Sequence, residues 1–202
     1  MRTDKSFNDI CYSCDETEDP MNREKRLFDD FSKKLTNISK KSKGWNDILQ
    51  NVPLEEINKR EDLSKLPITR KSNLSKIQKS FPLYGGLTIK DDKEFKYCFS
   101  SPGEIYEPGD SGDFWNMANC LYAAGMRKGD LVYNTFSYHL GPAGIMMSNA
   151  ANEIGCSVIP GGVGNTDIQL EVLNYTKPSF YIGTPSFLKI LLEKAKQENI
   201  DL

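Results

Sequence analysis

A single histidine, His139, and only two tryptophans stand in 202 residues. With one imidazole the chain has no histidine cluster for a metal, and any proton chemistry near neutral pH within it falls to that ring. No apolar run approaches the ~18 residues that a membrane helix needs, so neither a membrane span nor a membrane partner is expected. Excess charge of one sign is also missing. The formal net charge is −2, with 17 basic residues against 14 acidic ones in 1–80 and 9 against 14 in 81–202. The basic residues sit in helix-forming stretches such as 33–43 rather than between exposed aromatics, which leaves no nucleic-acid footprint. The first twenty residues are too acidic and too broken for a secretory signal, making the cytoplasm the expected compartment. Five cysteines, an odd number, then read as reduced thiols. Cys11 and Cys14 form a C-x-x-C, but zinc needs two further ligands that the neighbourhood lacks, so no metal is assigned to the chain's own residues. Cys98, Cys120 and Cys156 fall on apolar positions, where cysteine acts as a small hydrophobe.

What is present changes period along the chain. Residues 1–22 are expected to be a disordered leader. Residues 23–92 form a helical N-terminal segment: Leu27, Phe28, Phe31, Leu35 and Ile38 recur at three- and four-residue steps over 23–42. Trp45, Ile48 and Leu49 then form a short helix that stops before Pro53. Thr69 or Ser72 is expected to cap a further helix closed by Pro82 and the glycines at 85 and 86.

From 93 to 202 strands appear. Phe95, Tyr97 and Phe99 alternate as a strand should. Asp110 or Ser111 is expected to cap a helix that buries Phe114, Met117, Ala118 and Leu121. A strand at 131–136, a small-residue helix at 142–154, a buried strand at 156–160 and a strand at 180–182 follow. Between them Thr166 and Gln169 suggest a capping box, and Thr184 with Pro185 starts a last helix. Strand then helix, four times over, implies a partial parallel sheet with βαβ crossovers, an α/β fold. The last helix would ordinarily lead to another strand, so the chain is expected to be the front part of something larger, truncated at its C-terminal side.

Three stretches could carry chemistry. The strand at 131–136 opens into Tyr138, His139, Gly141 and Pro142, at the carboxyl end where open α/β sheets place ligands. Gly161, Gly162, Gly164 and Asn165 would let backbone approach a flat acid, with Asn165 donating to a carboxylate; a left-handed connection into the next helix explains the same residues. His139 is equally read as a histidine hydrogen-bonded at a strand end. Ser100, Ser101 and Gly103 could cradle an anion, although Glu104 and Glu107 would repel a triphosphate and Pro102 removes a donor; a plain surface turn is the alternative.

In order and spacing, 66–74 (LPITRKSNL), the Ser100-Ser101 loop, 121–144 (LYAAGMRKGDLVYNTFSYHLGPAG), 159–171 (IPGGVGNTDIQLE) and 181–195 (YIGTPSFLKILLEKA) resemble the N-terminal region of the AMP-forming acyl-CoA ligases, the adenylate-forming enzymes that include phenylacetate–CoA ligase. The resemblance covers about two-thirds of the chain. It implies a carboxylate attacking the α-phosphate of ATP, with Mg2+ neutralising charge, and coenzyme A then displacing AMP from the acyl-adenylate. By resemblance, Tyr138, His139, Gly141, Gly161, Gly162 and Asn165 are substrate-binding positions for phenylacetate or a similar aromatic acid, and Ser100, Ser101 and Gly103 are the phosphate-loop candidates. The family's adenine-binding segment, metal-binding glutamate and lid lysine all lie beyond the equivalent of Leu202. No catalytic residue is therefore assigned, and the chain alone is expected not to complete adenylation. Its expected partners are a small carboxylic acid and either a C-terminal half on another chain or a second copy. A non-catalytic binding domain derived from the family is the rival reading.

Overall fold

The computed structural model describes residues 11–81, 83–102 and 104–202. Most of the expected leader, and Gly103 of the candidate phosphate loop, lie outside the described residues. Two compact units emerge, Cys14–Asp110, and Ser111–Leu202 together with residues 11–13. The contacts thus divide after Asp110, whereas the change in sequence period falls at 92/93.

The first unit is helical with one hairpin. Helices α1 (Pro20–Asp29) and α2 (Phe31–Lys41) replace the single helix expected over 23–42, because Asp30 interrupts it. The Asp19 carboxylate caps α1 by accepting from the Met21 and Asn22 amides, so ordered helix begins inside the expected leader. Helix α3 spans Lys43–Leu49 and α4 spans Lys71–Ser80, the latter preceded by Arg70 and without the side-chain cap expected from Thr69 or Ser72. Strands β1 (Tyr97–Ser101) and β2 (Ile105–Gly109) pair antiparallel, Ser101 opposite Ile105. The first expected strand therefore belongs to a separate hairpin rather than to a four-stranded parallel sheet. Leu49, Ile57, Tyr84, Phe99 and Ile105 are the buried apolar residues of this unit among the described residues.

Ser42 ties its helices together. The residue is 2% exposed; its hydroxyl donates to the Gly86 carbonyl at 2.6 Å and accepts from the Trp45 amide at 3.2 Å. Ser42→Ala removes the cap and one of the two donors to the Gly86 carbonyl, the Gly44 amide being the other. It is expected to cost about 2 kcal/mol, read as a lower urea midpoint at unchanged slope.

The second unit is a three-stranded parallel sheet in the order β4-β3-β5, where β3 is Leu131–Asn134, β4 Ser157–Pro160 and β5 Phe180–Ile182. Its sides alternate as a pleat requires. Val132 and Ile182 face a cluster with Ala150, Ala151 and Ile154 from helix α6 (Ala143–Ile154) and with Ala118 from α5 (Ala118–Ala123). Tyr133 faces the other way, against Leu170 and Leu173 of α7 (Thr166–Thr176) and Leu191 and Ala195 of α8 (Pro185–Gln197). The chain thus leaves β3 toward one side, and leaves β4 and β5 toward the other.

Three local expectations change. Helix α5 is short, and the Asp113 carboxylate caps it by accepting from the Met117 and Ala118 amides at 2.7 and 2.8 Å; Phe114 is left 42% exposed. Strand β4 is a half-exposed edge, not a buried strand. The residue before α7 is Asn165, left-handed at φ 46°, and Gln169 folds back over the preceding loop instead of closing a capping box. The expected Thr184 cap forms, its hydroxyl accepting from the Phe187 amide with Pro185 in the first turn.

Candidate functional site

The carboxyl ends of β3 and β4 bring the acid-side candidates together. Asn134, the last residue of β3, is fully buried. Its Nδ2 lies 2.9 Å from the Tyr138 hydroxyl, 2.9 Å from the Gly144 carbonyl and 3.2 Å from Ser148 Oγ, while its Oδ1 accepts from the Phe136 amide at 3.0 Å. Tyr138 Oη and Ser148 Oγ are a further 2.6 Å apart. The hydroxyl of the half-buried Tyr138 is therefore held by two partners, Asn134 and Ser148. Burial pushes its phenol above the usual tyrosine range, against the opposing pull of the Ser148 and Asn134 hydrogen bonds, so it stays neutral near pH 7.

Glycines allow the close approach on either side. A side chain at Gly144 would meet the Ser137 carbonyl at 2.6 Å and the Tyr138 ring at 2.9 Å, so the first turn of α6 can close on this loop only with glycine. A Cβ at Gly161 would meet the Tyr133 ring at 2.8 Å, and one at Gly162 would stand 3.9 Å from the Tyr138 ring. The loop after β4 thus lays bare backbone against two aromatic rings. Gln169, 4% exposed, fixes that loop by donating to the carbonyls of Gly162 at 3.1 Å and Gly164 at 2.7 Å.

Tyr138, Gly161 and Gly162 accordingly share one neighbourhood. His139 is exposed; its amide donates to Ser137 Oγ and its carbonyl accepts from the Gly141 amide, while its ring makes no hydrogen bond among the described residues. Gly141 has open space around it. Asn165 is exposed and its carbonyl accepts from the Gln169 amide. Ser100 and Ser101 belong to the β1–β2 hairpin of the first unit, opposite Tyr106 and Ile105. There the Ser101 hydroxyl donates to Glu107 at 2.6 Å, and Lys79 and Lys71 reach Glu104 and Glu107.

The sequence reading passed over Asn134, Ser148, Thr135 and Tyr181, and gave Gln169 only a capping role. Thr135 is buried, and its hydroxyl lies 2.8 Å from the Tyr181 hydroxyl and 3.1 Å from the Ile182 carbonyl, across β3 and β5. A signal for Asn134 existed: an amide closing the apolar run Leu131-Val132-Tyr133 needs a buried partner. Among the described residues no group of three His, Cys, Asp or Glu side chains could hold a metal ion, and no helix is long and apolar enough to cross a membrane.

No family model matches the chain. Among proteins of known structure, 2-hydroxyisobutyryl-CoA ligase in complex with 2-HIB-AMP and CoA, in the thioesterification state, superposes with a TM-score of 0.86 at 18% identity, over 98% of this chain and 45% of that one. The same ligase in its postadenylation state with R3-HIB-AMP gives 0.83 at 18% identity, over 91% and 41%. The fold is that of the N-terminal domain of the adenylate-forming enzymes. In sequence, a phenylacetate-coenzyme A ligase of Pseudomonas putida is 30% identical over 148 residues, 70% of this chain and 33% of that protein. One of Aromatoleum evansii is 28% identical over 160 residues, 75% and 35%. In sequence and in fold the chain matches the N-terminal portion of the AMP-forming acyl-CoA ligases and is phenylacetate–CoA-ligase-like. It spans about a third of the length of these curated relatives.

Proposed function

We propose that these residues form the acid-binding side of an ATP-dependent, AMP-forming carboxylate–CoA ligase acting on phenylacetate or a similar flat aromatic acid. The observation that carries the reading is the Tyr138 ring, fixed by Asn134 and Ser148, with the bare backbone of Gly162 against it and that of Gly161 against Tyr133. A flat acid can lie against the outer side of this aromatic ring and over the adjoining glycine backbone, where no side chain competes for the space. In this reading Gly141, His139 and Asn165, in the loops that follow β3 and β4, are the further substrate-binding positions, with Asn165 donating to the carboxylate.

Of the groups the relatives' names bring in, coenzyme A suits the exposed approach past His139, and it supplies the thiol that takes the acyl group. ATP with Mg2+ fits these residues poorly. The Ser101 hydroxyl is already given to Glu107, the Glu104 carboxylate stands nearby in the sequence, and the described residues hold no carboxylate cluster for the metal. No step is therefore derived through the nucleotide, whose binding groups belong to the remainder of such a ligase, on a C-terminal half or a second copy. The cytoplasm is the compartment in keeping with this chemistry and with Cys11, Cys98, Cys120 and Cys156, which form no disulfide.

Isothermal titration of the 202-residue chain with phenylacetate and with ATP separately tests the reading. Saturable heat is expected with phenylacetate, lost in Tyr138→Ala, and no acid-dependent pyrophosphate release is expected from these residues by themselves. Absence of phenylacetate binding overturns the acid-side assignment, and pyrophosphate release overturns the claim that the nucleotide side lies elsewhere. The acidic hairpin favours one rival, a binding domain without turnover. Pairing the chain with the missing portion of a ligase and finding no thioester would select it.

A further inference from the structure

We propose that the helical unit carries a second site, for a small soluble phosphorylated molecule, in the cavity between the start of α3 and Phe81 with residues 83–93. The cavity measures about 520 Å³, within the range of about 300–1,000 Å³ that small-molecule sites occupy. Its ionisable lining consists of Lys41, Lys43, Lys90 and Lys93 with Asp91 and Asp92.

These charges do not cancel in pairs. Lys90 is taken: it pairs with Asp110 and lies 4.2 Å from the centre of the Phe95 ring. Asp92 is turned to the chain, its carboxylate accepting from the Thr88 hydroxyl at 2.6 Å and the Leu83 amide at 3.3 Å. Asp91 accepts from the Lys93 amide at 2.9 Å. No carboxylate stands within ion-pair distance of the ammonium groups of Lys41, Lys43 or Lys93 among the described residues, and Lys43 instead sits 5.2 Å from the Phe81 ring. With Lys90 paired to Asp110, three ammonium groups stand against two carboxylates whose oxygens are turned to amide and hydroxyl donors of the chain, and the surplus positive charge favours an anion in the concavity.

The lining also sets the kind of anion. Ammonium groups act as separate point charges on flexible stems, which suits the oxygens of a multiply charged phosphate better than a planar carboxylate clamped by one fork. Phe81 and Leu83 add an apolar wall against which an organic group can rest. The floor is rigid: the Gly86 carbonyl accepts from both Ser42 Oγ at 2.6 Å and the Gly44 amide at 2.8 Å, and a Cβ at Gly44 would meet the Gly85 carbonyl at 2.6 Å. None of these residues belongs to the acid-binding neighbourhood, so this site stands or falls independently of the ligase reading.

Titration calorimetry of the full chain with pyrophosphate is the test. One saturable site is expected, weakening as sodium chloride is raised. Lys41→Gln/Lys43→Gln/Lys93→Gln is expected to lose at least about tenfold in affinity. Lys34→Gln/Lys40→Gln/Lys59→Gln, which removes the same charge from exposed positions outside the cavity, is expected to change it by less than about twofold. Absence of saturable binding overturns the proposal. So does equal weakening by the two triple variants, which would reduce the effect to net charge, and so does unchanged binding in the cavity variant, which would put pyrophosphate elsewhere.

Discussion

Gly183→Ala is expected to destabilise the α/β unit by about 3 kcal/mol, at the upper end for inserting a single methyl group into packed structure. The reason is geometric. A Cβ at Gly183 would fall 2.0 Å from Thr135 Oγ1 and 2.5 Å from Tyr181 Oη, inside the contact distance of any real pair of atoms. Neither oxygen is a loose side-chain end. Thr135 is 3% exposed and bonded to both Tyr181 and the Ile182 carbonyl, so admitting the methyl breaks the link between β3 and β5 or lifts the turn into α8. The urea midpoint measures the loss. In a Thr135→Ala background, where the nearest obstructing oxygen is gone, the same substitution is expected to cost about half as much. An unchanged midpoint in the otherwise intact chain would show that the turn moves aside freely, and the close approach of these strand ends would then contribute nothing.

Asn134→Ala is expected to cost a similar amount, about 3 kcal/mol, through unmet hydrogen bonds. The buried Gly144 carbonyl and the part-buried Phe136 amide lose their side-chain partner. The amide has only two N–H groups for three nearby oxygens, so the direct bond between Tyr138 and Ser148 is what keeps the third satisfied. Removing Asn134 therefore also unlocks the Tyr138 ring. Near-ultraviolet circular dichroism should lose tyrosine intensity even under conditions where the variant remains folded, and phenylacetate affinity should fall with it. Lower stability with unchanged affinity would separate the amide from the site and leave it a structural residue only.

The elements of the α/β unit were legible because their residues leave little choice. Leu131-Val132-Tyr133 is apolar throughout, as a middle strand must be, and Thr184 before Pro185 marks the start of α8 without ambiguity. The hairpin was missed because Glu104, Glu107 and Pro108 look like loop residues. In the structure Pro108 sits opposite Cys98 in a two-stranded ladder whose outer side needs no amide donor. The short α5 was overextended because Phe114 and Met117 fit a helical stripe, while the Asp113 cap that sets the true start competes with the equally plausible Asp110 and Ser111. At the site, the aromatic and glycine residues could be read from their types. Gln169 could not, since its role depends on a loop folding back over the helix it precedes.

The order β4-β3-β5 bears on how the unit assembles while it is being made. The middle strand meets β4 first, through a crossover of one helix, and must wait for β5 until a second helix has been completed. At translation rates of about 5–20 residues per second, the roughly 20 residues from Pro160 to Phe180 take on the order of seconds to emerge. Through that interval one flank of Val132–Asn134 has no neighbour on the ribosome-bound chain, and a chaperone able to recognise a short apolar strand has its opening there.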